Sequence, residues 1–171
     1  VMGRDVQRRV AGPVGSIVAA FLSKGGCEVT LCDVVLANLE PALNPGILIQ
    51  GTDTLQAKVA KITTRLEDLL LDPPEVIIVA VKATALPAVA ASLKAFFDAD
   101  GKGPYVISWQ NGIDTELVLA QYLGTRPVMR GVINFGCIPI KPGHVGIAFH
   151  HRPHHIQELD PSSRPAAVAI C

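Results

Sequence analysis

Apolar residues run along this chain in blocks whose spacing switches between helix-like and strand-like, and the switches predict the elements. Val14 to Leu22 (VGSIVAAFL) is an apolar segment of small residues followed by Lys24, Gly25 and Gly26, which predicts a helix with a glycine stop. CEVTLCD, ending at Asp33, alternates and contains β-branched residues, as a strand does. NPGILIQG predicts a turn leading into a short strand, and AKVAKITT offers that strand a partner. Leu66 to Leu71 predicts a short helical turn closed by Pro73 and Pro74. EVIIVAVKA, with six consecutive apolar residues, is the clearest buried strand. Pro87 to Phe97 predicts a helix with Val89, Leu93, Phe96 and Phe97 inward.

GPYVISWQNG predicts the next strand and its turn, and DTELVLAQYL a helix with Asp114 as N-cap and Glu116 in the first turn. RPVMRGVINFGCIPIKPGHVGIAFHH predicts two further strand-like runs joined at KPG. The final HHRPHHIQELDPSSRPAAVAIC loses the pattern and reads as a segment draped over the surface. Strand, helix and strand repeated with short turns predict a parallel α/β sheet. The expected organisation is one domain over residues 1–150 and an irregular tail over 151–171.

Composition narrows the function classes. Hydrophobic residues make up 49% of the 171, enough for a core, while aromatics are 5%. Fifteen basic and 15 acidic residues cancel, and no basic tract points to nucleic acid. The cysteines, Cys27, Cys32, Cys137 and Cys171, form no C-x-x-C pair, so reduced thiols in a cytoplasmic protein are expected. No apolar run approaches the ~18 residues that span a bilayer. VMGRDVQRRV has charges and no apolar core, unlike a signal peptide.

Candidate chemistry begins at Val10-Ala11-Gly12-Pro13-Val14-Gly15. A dinucleotide fingerprint is G-x-G-x-x-G between a strand and a helix, with an acidic residue about 20 positions on. Gly12 and Gly15 stand at the second and third glycine positions, and Val10 at the first. The second glycine lets backbone approach a pyrophosphate, and the third lets helix pack on sheet. The helix N-terminus favours an anion, and Pro13 suits its first turn. Asp33 ends the next strand, where a carboxylate accepts hydrogen bonds from an adenosine ribose. The same residues also fit a glycine turn that binds nothing. VQRRV would be the central strand, and burying its arginines unpaired is costly.

Lys82 lies just past one buried strand, and Asn111 and Gly112 just past the next. Ligands in open α/β sheets bind outside the carboxyl ends of strands, so both would face the crevice of the glycine turn. Singly, Lys82 also fits a solvated lysine and Asn111-Gly112 a plain turn.

AGPVGSIVAAFLSKGG, VAVKA, QNGID, GVINFG and PGHV occur in this order over roughly residues 10–147. In these motifs the chain resembles the ketopantoate reductase (2-dehydropantoate 2-reductase) family. The resemblance implies a Rossmann-like, doubly wound, mostly parallel sheet that binds NADP(H). It also implies reduction of a 2-keto acid, ketopantoate to pantoate, on the pantothenate route. Lys82 and Asn111 are then the catalytic-cleft residues, and Gly12, Pro13, Val14, Gly15, Asp33, Lys82 and Asn111 the cofactor-binding set.

Family members often carry an arginine after the second strand, and here Asp33-Val34 stands there, which keeps NAD(H) open. The family also has a C-terminal helical domain bearing the catalytic lysine and a substrate-binding acidic residue. The resemblance implies that this chain lacks it and turns over little alone. The expected partner is a small 2-keto acid, with a homodimer open and neither nucleic acid nor membrane. Two alternatives stay open: a non-catalytic dinucleotide-binding or sensing module, and a degraded fragment that folds without binding.

Other candidates are weaker. His150, His151, His154 and His155 surround Arg152 and Pro153 and read as a solvated tail rather than a metal site. Asp98 and Asp100 read as turn chemistry, Ser108 lacks the G-x-S-x-G setting, and Trp109 reads as a packing residue.

Overall fold

The computed structural model describes residues 6–9, by backbone alone, and 12–171. Val10 and Ala11, and with them the first position of the glycine turn, lie outside the described residues. In chain order the elements are β1 (Val6–Arg9), α1 (Pro13–Lys24), β2 (Thr30–Cys32), α2 (Leu36–Leu43), β3 (Ile47–Gly51), β4 (Leu55–Ala57) and β5 (Lys61–Thr63). They continue with β6 (Val76–Val79), α3 (Leu86–Leu93), β7 (Tyr105–Ser108), α4 (Thr115–Leu123), β8 (Val128–Gly131), β9 (Phe135–Lys141), β10 (His144–His150), β11 (Ile156–Glu158) and α5 (Arg164–Ile170).

One seven-stranded sheet has the order β11-β8-β7-β6-β1-β2-β5. Its ladders are parallel except β8 with β11. Successive strands run outward from β1 toward β5 on one side, and from β6 toward β8 on the other. This is a Rossmann-like doubly wound sheet, with its topological switch point between β1 and β6.

The six-residue apolar run that marks β6 follows from burial on both faces. Val76 and Ile78 pack into one core cluster with α1, α2 and α5. Ile77 and Val79 pack into the other, with α3 and α4. Period-two alternation is present in space and hidden in sequence, because both sides are dry.

A second sheet, β4-β3-β10-β9, lies on the α1 side through Ile47, Ile49, Val145 and Ile147. Several expectations change here. The NPGILIQG strand, β3, pairs antiparallel with β4. AKVAKITT supplies β5, which pairs with β2 in the main sheet instead. A three-residue strand has no fixed sheet until its neighbours place it. The long run before KPG splits into β8 of the main sheet and β9 of the second. VQRR forms β1, an interior strand between β6 and β2, paired at Arg8 to both Leu31 and Ile78.

The segment expected to be an irregular tail over 151–171 is ordered. β11 pairs with β8, and α5 buries Ala166 and Ala167 in the core. No helix among the described residues is long and apolar enough to cross a membrane.

Candidate functional site

The parallel order of β7, β6, β1 and β2 puts the four chain segments that follow them at one edge of the sheet. Gly12 is the N-cap of α1, with extended backbone (φ −58°, ψ 163°) and no side-chain cap. Its carbonyl accepts the first helical bond, from Ser16 N–H at 2.9 Å. Pro13 takes the first helical position, Val14 packs half-buried against the core, and Gly15 is buried. The end of α1 thus carries the partial positive charge of its aligned peptides at the carboxyl edge.

Asp33 follows β2 directly and is 8% exposed. Its Oδ1 accepts from Val35 N–H at 2.8 Å, which fixes the carboxylate beside its own backbone. Lys82, exposed, starts the short turn that leads into α3. Asp33 and Lys82 line one cavity of about 410 Å³, together with Val81, Thr84, Val89 and Ser92. Lys82 is the cationic side chain among the described residues of its lining. Gly12 and Asn111 lie at the same edge but are not among those described lining residues.

Asn111 is exposed in the turn between β7 and α4. Asp114 occupies the N-cap position as expected, but in the left-handed region (φ 58°) and without a side-chain capping bond. The polar groups beneath this turn are joined. Ser108 Oγ donates to Gln110 Oε1 at 3.0 Å and lies 3.0 Å from Thr115 Oγ1. Arg130 Nη1 donates to Thr115 Oγ1 and to Glu116 Oε2 at 3.3 Å, and its Nη2 donates to Gly112 O at 3.1 Å. Arg130 was not among the residues singled out from the sequence, and the one signal available for it was a guanidinium within the strand VMRG, which requires partners when buried.

Of the four C-terminal histidines, His151 and His155 are exposed as a solvated segment would have them, whereas His150 and His154 are packed. His150, 6% exposed in its side chain, bonds through Nδ1 to the Asp53 carboxylate. Its Nε2 lies 2.9 Å from His154 Nε2, and the two rings stack at 5.0 Å. Phe135 packs edge-on against both, and Trp109 against His154. These side chains and α1 line a second cavity of about 370 Å³. Burial, reinforced by the His150 charge, lowers the His154 pKa from 6.5. Burial raises the Cys137 thiol above its ordinary value. All four cysteines are free. Among the described residues, no group of His, Cys, Asp and Glu side chains is disposed to hold a metal ion.

The fold aligns with D-mandelate dehydrogenase in complex with NADH and anilino(oxo)acetate at TM-score 0.80 and 22% identity, over 96% of this chain and 52% of that one. For 2-dehydropantoate 2-reductase from Geobacter metallireducens GS-15 the values are 0.79, 18%, 96% and 53%. For an Enterococcus faecalis protein assigned to the 2-dehydropantoate 2-reductases they are 0.76, 24%, 97% and 52%. The chain spans about half the length of each, and at these identities the likeness carries the fold alone. A family model described as "Ketopantoate reductase PanE/ApbA" matches residues 11–161. That match takes in Gly12, Asp33, Lys82 and Asn111 together, and this chain belongs to the ketopantoate reductase family.

Proposed function

We propose that this chain is the dinucleotide-binding part of an oxidoreductase that reduces a 2-keto acid to a 2-hydroxy acid, with ketopantoate as the substrate the family implies. The supporting observation is the carboxyl edge itself. There the N-terminus of α1, at Gly12, and a cavity lined by Asp33 and Lys82 lie at one edge of the sheet. The donor set fits a nicotinamide dinucleotide in three respects. Backbone N–H groups at the head of α1 suit a diphosphate. A carboxylate at the end of β2 suits a ribose diol. An ammonium in the same cavity suits a phosphate or a polarised oxygen.

When bound, the cofactor supplies the hydride, and the protein supplies orientation and charge. Gly12 to Gly15 would hold the diphosphate, and Asp33 the adenosine ribose. Asn111, exposed at the end of β7, would donate its carboxamide N–H groups to ribose or substrate oxygens. Lys82 would hold positive charge against the phosphate side. The family implies NADP(H), whereas the Asp33 carboxylate supports NAD(H), because it repels a 2′-phosphate and accepts from a free 2′-hydroxyl.

Calorimetric titration of the full chain with NADH and NADPH tests binding, and loss of reduced-cofactor absorbance with ketopantoate tests turnover. Binding with turnover supports the reductase reading. Binding with little reduction by this chain alone fits its place as the dinucleotide-binding part, and no reduction of any keto acid even when the family's C-terminal helical domain is supplied would mark a non-catalytic dinucleotide-binding module. No binding of either cofactor would overturn the reading.

A further inference from the structure

The turn that carries Asn111 contains two backbone positions in the left-handed region, Gly112 at φ 133° and Asp114 at φ 58°. Glycine adopts this region freely. Asp114 does not, and the surrounding structure must offset its cost. At Gly112 a Cβ would stand 2.9 Å from Thr115 Cγ2, so the turn is also tight against the head of α4.

What holds this turn comes from two strands and a helix. Ser108 on β7 and Arg130 on β8 are register partners. Their side chains therefore leave the sheet on one face, the face on which Val106 and Val128 pack with Leu119 of α4. Arg130 reaches three acceptors there: Thr115 Oγ1 and Glu116 Oε2 in the first turn of α4, and the Gly112 carbonyl in the turn itself. The Arg130 and Glu116 side chains are 23% and 18% exposed, so the pair is largely shielded from water. Thr115 passes the link on to Ser108, and Ser108 to Gln110. Gln110 is 5% exposed, and its Nε2 has no partner among the described residues. The residue before Asn111 is thus buried and tethered, and the residue after it is held through its carbonyl.

We propose that Arg130 is a positioning residue, whose guanidinium clamps the Gln110–Asp114 turn to the head of α4 and fixes Asn111 at the carboxyl edge. A planar fork with several donors can serve a hydroxyl, a carboxylate and a carbonyl at once, and an ammonium of similar reach cannot hold the same three directions. The clamp stands on the geometry alone. Its consequence for cofactor binding rests on the reading of Asn111 given under Proposed function.

The test uses the full chain and the variants Arg130→Met, Arg130→Lys and the milder Thr115→Val. Without ligand, the Leu117 and Val118 amides, which donate to the Asp114 carbonyl of the turn, exchange about tenfold faster in Arg130→Met, and those of α1 and β6 do not change. Arg130→Lys shows an intermediate rate. Thr115→Val shows a smaller shift in the same direction, and decides the point if Arg130→Met does not fold. Unchanged exchange at Leu117 and Val118, or equal acceleration throughout the chain, overturns the clamp.

Calorimetry with NADH and with ADP then separates positioning from general loosening. Arg130→Met weakens NADH about fivefold, leaves ADP within about twofold, and adds nothing in an Asn111→Ala background. Equal losses for both ligands, or losses additive with Asn111→Ala, overturn the positioning role. A wild-type chain that binds no dinucleotide would sink the functional reading only, since the exchange measurement still decides the clamp.

Discussion

Asp33, just past the carboxyl end of β2, and Lys82, just past β6, line the same cavity although β1 stands between their strands. A carboxylate and an ammonium on one wall make opposite demands on a ligand. The carboxylate favours a diol, and the ammonium favours a phosphate. On the proposed function, their balance would set which nicotinamide dinucleotide the site takes.

If the carboxylate dominates, NADH binds more tightly than NADPH, by about tenfold or roughly 1.4 kcal/mol. Asp33 is the better fixed of the two, through its bond from Val35 N–H. Asp33→Asn keeps the shape, removes the charge, and should narrow that ratio toward one. Calorimetric Kd values for both cofactors on both proteins measure it. An unchanged ratio would show that Asp33 does not face the ribose.

Lys82→Ala should act in the opposite sense. It should weaken NADPH about three- to tenfold and NADH less, because an exposed ammonium contributes most where a dianion approaches it. The difference should shrink as salt is raised. Titrations at low and high ionic strength check this, and equal losses for both cofactors would remove Lys82 from the 2′-side of the site.

Gly131 lies under Trp109: a Cβ at residue 131 would stand 2.9 Å from the indole Cε3. Gly131→Ala therefore pushes a 7% exposed tryptophan off its seat on the sheet. The expected cost is about 1–3 kcal/mol of stability. Trp109 is the one tryptophan of the chain, so the shift should also appear in its fluorescence. Wild-type stability by urea denaturation, together with an unmoved emission maximum, would contradict the packing.

Burial and the His150 charge hold the His154 pKa below 6.5. The fold therefore favours neutral His154, and the unfolded chain takes up the proton first as pH falls. The stabilisation is complete above the unfolded value and is lost as pH drops from 6.5 through the folded value. Urea midpoints should fall on that acid side, and the His154→Gln variant should fall less steeply. Trp109, whose ring lies 5.9 Å from His154, reports the change by fluorescence. Equal slopes for the two proteins would show that other groups govern the acid limb.

Much of the main sheet was legible because its determinants are local. A dry strand such as β6 is a run of branched apolar residues, and α1 is bounded by Gly12-Pro13 and by Gly25-Gly26. The second sheet and the edge strand β5 of the main one were less legible. β4 and β5 are three residues each, and nothing in three residues states which strand they will pair with. The C-terminal stretch lost its pattern because its order comes from partners far away. β11 borrows its ladder from β8, and His150 and His154 are held by contacts with Phe135, Trp109 and Asp53.

By itself, the amino-acid order determined the alternation of strand and helix, the glycine turn, and the placing of Asp33, Lys82 and Asn111 after strands, since spacing and turn chemistry act over a few residues. Tertiary structure alone decided that Asp33 and Lys82 share a cavity, and that Asn111, at the same edge but not among that cavity's described lining, sits on a turn whose Gly112 carbonyl accepts from Arg130. Those relations depend on strand order and register. Both arise when hydrophobic burial and backbone pairing are satisfied together over the whole chain, and no local stretch contains that information.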